Sequence, residues 1–175
     1  MAKKGGQALV TGIIGMKDDI RLIWQLLKDP RIPKRYKLVA SVAGIYTVSP
    51  IDLIPDKVPV LGWLDELFVV TVTARWFLGR AYKKAPKAFL EALSDTHPAF
   101  NAFSTENIVA AWTLLTIAPA ERDQSWVQLK DYPPHLLLEL LKVIRQYDSS
   151  RFAEIWNALG ESQNALAWRI HKLQG

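Results

Sequence analysis

The sequence predicts an all-α protein, and three observations carry this prediction. Apolar residues recur with the helical period of about 3.6 residues along most of the chain. Prolines fall between these segments, where they begin or stop a helix instead of interrupting one. Hydrophobic residues make up 50% of the 175 residues and seven are Trp, a composition typical of a folded chain.

The first predicted helix is amphipathic and stops at Asp29-Pro30. Its polar residues lie mostly on one side, and its apolar residues share the face that we expect to pack on a core: Ile13, Met16, Ile20, Ile23, Trp24 and Leu27. The basic start of the chain is followed by a glycine-broken apolar stretch and then by Lys17-Asp18-Asp19. We therefore do not interpret this region as a signal peptide.

The second predicted helix, residues 34–48, is apolar nearly all round, so it is either buried on every side or in contact with lipid. Ser49-Pro50 ends it, and residues 49–52 resemble a capping box. We expect a proline and glycine turn at 55–62, then a third helix at 63–84. The middle of that helix is rich in β-branched residues, so a strand is the alternative there.

The C-terminal part is predicted to form short helices. One spans 87–94, between Pro86 and Pro98, and others begin at Ser104-Thr105 and at Pro133-Pro134. Two more cover 149–159 and 161–173. We expect one domain at 1–84 and a second at 85–175. Four tryptophans are expected in the core, with interface anchoring as the alternative: Trp112, Trp126, Trp156 and Trp168.

Charge is unevenly distributed along the chain. Residues 1–100 hold 15 Lys or Arg against 9 Asp or Glu, whereas residues 101–175 hold 7 against 8. If the second and third helices form an antiparallel hairpin, its open end gathers basic residues, which become candidates for contact with lipid headgroups: Lys34, Arg35, Lys37, Arg80, Lys83 and Lys84. Its turn end gathers Asp52, Asp56, Asp65 and Glu66.

Neither helix of this hairpin resembles an ordinary membrane-spanning helix. The apolar run 38–51 would extend about 21 Å as helix, short of the roughly 30 Å hydrocarbon core. The run 58–78 contains Asp65, Glu66 and Arg75. Because cytoplasmic flanks favour Lys and Arg, the basic end predicts contact with the cytoplasmic face of a membrane. The alternative is a soluble cytoplasmic bundle in which the hairpin is the buried centre.

One segment of the chain resembles a known family. The sequence D-P-R-I-P, followed by S-P-I-D-L-I-P-D-K-V-P-V-L-G-W-L-D-E, is similar to the signature of the bacterial YkvA-like family, a domain of unknown function, over about residues 29–79. The family pattern usually ends in two aspartates, and Glu66 stands at the second position here. The resemblance implies a small, often membrane-associated helical domain and carries no reaction, cofactor or catalytic residue.

The acidic turn is the other candidate site, formed by the motif residues Ser49, Pro50, Asp52, Pro55, Asp56, Pro59, Gly62, Asp65 and Glu66. Carboxylates Asp52, Asp56, Asp65 and Glu66 could converge on Mg²⁺ or Ca²⁺, which prefer oxygen ligands. A structural role competes with this: Asp52 could cap a helix, and Asp65 and Glu66 could lie in a first helical turn, where the dipole favours anions. Ion pairs with Arg21 or Arg75 are a third interpretation.

Several functional classes lack support in the sequence. There is no cysteine, which excludes disulfides, thiolate zinc sites and cysteine nucleophiles. His97, His135 and His171 show no metal-ligand spacing, and neither a catalytic triad nor a phosphate-binding loop is present. The pI of 9.5 suggests nucleic-acid binding, but no motif for it accompanies the charge, so we do not expect it.

The sequence therefore predicts a non-enzymatic scaffold or adaptor. We expect the hairpin to hold it to the cytoplasmic face of a membrane while the C-terminal half binds a partner. Two alternatives stay open: a soluble bundle with a divalent-cation site at the acidic turn, and a soluble homo-oligomer that buries the hairpin in a protein interface.

Overall fold

The structure is a computed structural model that describes residues 19–48, 59–117, 119–120 and 122–161, with their side chains except at 46–48, 59–69, 122–124, 126 and 160–161. These residues contain helices and no strands, which confirms the all-α prediction. The helices are α1 (19–28), α2 (Lys34–Val48), α3 (Pro59–Lys84), α4 (Pro86–Thr96), α5 (Thr105–Ile117), α6 (Arg122–Leu129), α7 (Pro134–Tyr147) and α8 (Ser149–Glu161).

The helix bounds agree with the sequence prediction at α2 and differ by one or two residues at α4 and α8. The larger departures are at α3 and α6. α3 begins at Pro59, so residues 59–62, expected to be a turn, are helical. Proline is favoured at the first position of a helix, where its missing N–H costs nothing. α6 was not predicted, because its sequence R-D-Q-S-W-V-Q-L is short and lacks a clear apolar period. The helix predicted at 161–173 and the capping box at 49–52 lie outside the described residues.

The chain divides into two compact units, Met1–Ala88 and Phe89–Gly175. The division falls inside α4, a little after the boundary predicted between residues 84 and 85. The division does not test the separate roles predicted for the two parts.

The core of the first unit corrects the predicted orientation of α1. Leu22 and Leu26 are buried, whereas Ile20 and Trp24, which were expected to pack inward, are 58% and 61% exposed. Apolar residues occur on both sides of this helix, so periodicity alone did not decide which side packs. Among the residues described in this unit, the other buried apolar side chains are Ile32, Tyr36, Phe77, Leu78, Ala81, Tyr82 and Ala88.

The core of the second unit is built on α7, whose sequence has an amphipathic leucine face. Its leucine face is buried throughout: Leu136, Leu137, Leu140, Leu141 and Ile144. α7 packs against α5 and α8, which contribute buried residues such as Ile108 and Ile155. Aliphatic side chains therefore form most of this core, together with the buried rings of Phe89 and Phe100.

The two tryptophan side chains that the structure describes in this unit are not core residues. Trp112 and Trp156 are only half-buried, so the expectation that they are core residues is wrong. The side chain of Trp126 and the whole of Trp168 lie outside the described part of the chain. Aromatic side chains with a polar edge often stay at the boundary of a core.

The start of α5 confirms the predicted helix opening at Ser104-Thr105. The Asn107 N–H donates to Ser104 Oγ at 3.2 Å, which is an N-cap contact. The hydroxyls of Thr105 and Ser94 lie 3.1 Å apart and share a hydrogen bond. This bond links the end of α4 to the start of α5.

The packing of α1 predicts a contrast between two neighbouring positions. Leu26→Ala should lower the free energy of unfolding by about 2 to 4 kcal/mol, because it removes a fully buried side chain. Trp24→Ala, the matched control, should lower it by about 1 kcal/mol or less, because the ring is exposed. Urea denaturation of both variants measures the difference. A larger loss for Trp24→Ala would contradict this orientation of α1.

Candidate functional site

The D-P-R-I-P segment forms an ordered turn that sets the start of α2. The Asp29 carboxylate accepts hydrogen bonds from the Arg31 backbone N–H at 2.9 Å and from its guanidinium at 2.6 Å. The Ile32 N–H donates to the Asp29 carbonyl at 3.2 Å, and the Ile32 side chain is buried. The Pro33 carbonyl then accepts from the Tyr36 N–H at 3.0 Å, in the first turn of α2. This turn joins α1 to α2.

The ionisation of Asp29 is coupled to this turn. Hydrogen bonds from the Arg31 side chain lower the pKa of Asp29. Partial burial opposes this, and the Arg31 N–H and the charges of Arg31 and Lys37 add to the lowering. The Asp29 side chain is only 17% exposed, so its ion pair is partly shielded from solvent.

An aromatic contact holds α2 against α3. The rings of Tyr36 and Trp76 meet edge to face, with centroids 5.6 Å apart and planes at 74°. Because Tyr36 lies in the first turn of α2 and Trp76 in the second half of α3, the start of α2 lies beside the later turns of α3. The connection between the two helices includes residues outside the described part of the chain, so the predicted hairpin turn stays a prediction.

Cations flank this aromatic pair on both helices. The Arg35 guanidinium lies 4.8 Å from the centre of the Tyr36 ring and donates to the Tyr36 hydroxyl at 3.0 Å. The Arg80 guanidinium lies 6.0 Å from the centre of the Trp76 ring. Arg35 of α2 and Arg80 of α3, both among the predicted basic residues, therefore each lie beside one ring of the Tyr36–Trp76 pair.

The six predicted basic residues all lie at the surface. Lys37 is half-buried and the rest are exposed: Lys34, Arg35, Arg80, Lys83 and Lys84. Lys83 and Lys84 occupy the last turn of α3, where the helix dipole favours cations. Lys34, Arg35 and Lys37 begin α2, where the dipole disfavours them and no acidic residue shares the first turn. Helix stability does not explain this second group.

The apolar residues of α2 form an exposed face that the sequence did not single out. Leu38, Val42 and Ile45 are 66%, 57% and 67% exposed, and Val39 lies beside them. Between residues 34 and 45, Tyr36 is the one buried side chain. The alternative in which this helix is the buried centre of a bundle is therefore wrong over these residues. Uniform apolarity fits either burial or lipid contact, so the sequence alone did not reveal this exposure.

This face is continuous with the basic start of the helix. Lys34 and Leu38 are one turn apart, as are Arg35 and Val39. Each cation therefore lies next to an apolar side chain on the same face of the helix. On α3, Val72 is also exposed, at one helical turn from Trp76. Contiguous apolar surface of this kind marks contact with a protein partner or a membrane.

Most of the acidic turn either lies outside the described residues or has only its backbone described. Ser49, Pro50, Asp52, Pro55 and Asp56 lie outside the described residues. Pro59, Gly62, Asp65 and Glu66 lie in α3, where the backbone alone is described. Since α3 begins at Pro59, Asp65 and Glu66 fall beyond its first turn, and the expected dipole role for them is wrong. The Mg²⁺ or Ca²⁺ site stays a prediction.

The described histidines have structural surroundings. His97 Nδ1 accepts the Ala99 N–H at 3.3 Å, and its ring meets Phe100 edge to face. His135 is exposed at the start of α7, and His171 lies outside the described residues. Among the described residues, no helix combines the length and apolarity needed to cross a bilayer, and no group of three or more His, Asp or Glu is placed to hold a metal ion.

Comparison with known families matches one segment. Residues 37–72 match the family model described as "Protein of unknown function (DUF1232)", and YkvA-like is another name for that family. The match confirms the resemblance over most of α2 and the first half of α3, a minority of the chain. Comparison with curated proteins and with solved structures found no match.

The Asp29 ion pair predicts a pH-dependent contribution to stability. Because the folded-state pKa of Asp29 is lowered, the ionised carboxylate favours folding above about pH 4, and this contribution is lost as pH falls through the folded pKa. Asp29→Asn should therefore lower the free energy of unfolding by about 1 kcal/mol at pH 7 and by much less near pH 2.

Urea denaturation at both pH values measures this effect, with Asp131→Asn as the control at an exposed aspartate. That control should change little at either pH. A loss for Asp29→Asn that is equal at pH 7 and near pH 2 would contradict an ionic role for this turn.

Proposed function

We propose that the protein is a non-enzymatic, membrane-associated scaffold or adaptor that lies on the cytoplasmic face of a membrane. The observation that carries this proposal is the exposed face of α2, where Leu38, Val42 and Ile45 follow directly on Lys34 and Arg35. A soluble protein gains nothing by leaving this apolar face in water, so a contact that covers it is favoured.

The basic residues around the exposed face of α2 favour a lipid surface as the partner that covers it. Anionic lipids attract basic residues near the surface by about 1 kcal/mol each. Lys34 and Arg35 stand at the start of α2, and Lys83 and Lys84 end α3. No acidic residue is present among residues 34–45 to oppose this attraction.

The aromatic pair fits the same location. Tyr and Trp are enriched where the hydrocarbon core of a membrane meets the headgroups, because each combines an apolar ring with a polar group. Trp76 is partly exposed, and both it and Tyr36 have a guanidinium near the ring. This arrangement suits an interface in which the exposed part of the Trp76 ring meets acyl chains and the guanidinium groups meet phosphates.

The length of α2 favours a helix that lies in the interface over one that crosses the bilayer. At 15 residues it extends about 22 Å, less than the roughly 30 Å of hydrocarbon. A helix with one exposed apolar face and basic residues at one end binds by burying that face at the boundary of headgroups and acyl chains.

The second unit supplies the surface for a protein partner in this proposal. On α8, Phe152 and Trp156 stack with centroids 5.6 Å apart, and the Arg145 guanidinium lies 5.6 Å from the Phe152 ring. All three side chains reach solvent to some extent. Trp and Arg are the residues most enriched among the energetically dominant contacts of protein interfaces, which supports this surface as the anchoring point.

The electrostatic part of the proposal predicts a charge-dependent loss of vesicle binding. Replacing Arg35, Lys37, Lys83 and Lys84 by Glu should abolish flotation with phosphatidylglycerol vesicles, because attraction becomes repulsion. The matched control replaces Lys130, Lys142, Arg145 and Arg151, on the second unit, by Glu, with the same change in net charge. Retained binding by the first variant, or equal loss by both, would contradict a local basic contact.

The apolar part of the proposal predicts that vesicle binding depends on the exposed face of α2 in a way that does not reduce to the effect of salt. Leu38→Ser, Val42→Ser and Ile45→Ser together should weaken vesicle binding by more than tenfold, because the buried apolar area supplies the affinity. Val127→Ser is the control at an exposed valine of the second unit, which is 60% exposed. The binding constant is measured by vesicle sedimentation at low and high salt.

The same variant separates the proposal from the homo-oligomer alternative. If the face of α2 were buried between copies of the chain, the wild-type protein would be a dimer or larger species in buffer without detergent, and the triple variant would be a monomer. Light scattering coupled to size-exclusion chromatography measures this. An oligomeric wild-type protein that does not bind vesicles would favour the alternative.

A further inference from the structure

We infer that α1 is a second lipid-contacting helix, which binds the same anionic surface through Trp24, Ile20 and the two cations beside them. This inference rests on the proposed function and extends it to an element outside the family match. The juxtaposition of exposed apolar and basic side chains on one face of α1, opposite the side that packs, carries the argument.

The packing of α1 determines which face it presents. Leu22 and Leu26 are buried, one turn apart, and they anchor one side of the helix to the core. At about 100° per residue, Ile20 and Trp24 lie nearly opposite them. The helix cannot turn its exposed apolar residues inward without bringing the two leucines out into water. The outward position of Trp24 is therefore fixed by the fold.

The exposed face has the chemistry of a lipid interface. Besides Ile20 and Trp24, its exposed residues are Arg21 and Lys28. The Lys28 ammonium lies 4.7 Å from the centre of the Trp24 ring, a cation–π contact that holds the indole in place at the surface. A ring held this way, with an ammonium group beside it, is preorganised to meet acyl chains while the cation meets a phosphate.

Charge argues for an anionic lipid over a second copy of the chain. The exposed residues of α1 between 19 and 28 include two cations and no carboxylate. Two such faces packed against each other would bring Arg21 and Lys28 of both copies into one interface without a compensating charge, which is costly. An anionic headgroup layer supplies the opposite charge together with an apolar layer beneath it.

The absence of cysteine allows a direct test in the full-length chain. Ile20→Cys introduces a single thiol for an environment-sensitive fluorophore on the exposed face, and Val127→Cys introduces one on the second unit. The label at position 20 should shift to the blue and brighten when phosphatidylglycerol vesicles are added, and the label at position 127 should not. An unchanged label at position 20 on vesicle-bound protein would overturn the inference, as would an equal shift at both positions.

A binding measurement with unlabelled variants supports the label. Ile20→Ser with Trp24→Ser should weaken binding to these vesicles roughly tenfold relative to the wild type, while Val127→Ser leaves it unchanged. Circular dichroism and the melting temperature confirm that each variant folds. Wild-type affinity in the double variant would overturn the role of α1 alone. If the wild-type protein itself fails to bind, the proposed function fails with it.

Discussion

The edge-to-face contact of Tyr36 with Trp76 is the interaction on which the first unit depends. Tyr36, in the first turn of α2, is the one buried side chain among residues 34–45. The ion-paired turn at Asp29 and Arg31 places that first turn, and buried Ile32 anchors it. Over residues 34–45, α2 packs on one side, and the apolar side chains of its other side, Leu38, Val42 and Ile45, are exposed.

The exposure of α2 departs from what is usual for a helix that is apolar on every side. Such a helix is usually a buried one, since burial on all sides is what removes the cost of apolar surface in water. Here α2 packs on one side and exposes Leu38, Val42 and Ile45 on the other. Cations at its start, where the helix dipole disfavours them, add a second feature that the stability of the helix does not account for. The proposed contact with an anionic lipid surface would account for both features together.

The two units differ in what they leave at the surface. The second unit buries the whole leucine face of α7, as its amphipathic period predicts. The first unit leaves apolar residues of α1, α2 and α3 exposed, each within one or two helical turns of a basic side chain, as with Trp24 and Lys28 or Trp76 and Arg80. This difference underlies the proposal that the first unit contacts an anionic lipid surface and the second a protein partner.

The sequence by itself determined the helical class, the bounds of α2, the opening of α5 and the buried face of α7, because each depends on local signals: apolar period, proline and a capping hydroxyl. It also provided a family resemblance over about residues 29–79, of which 37–72 match the family model. Only the tertiary structure decided which side of α1 packs, that α2 is exposed and not central, and that Trp112 and Trp156 stay outside the core. These outcomes depend on which apolar surfaces meet. Helices with apolar residues on more than one side satisfy the same local pattern in several orientations, and packing selects one of them.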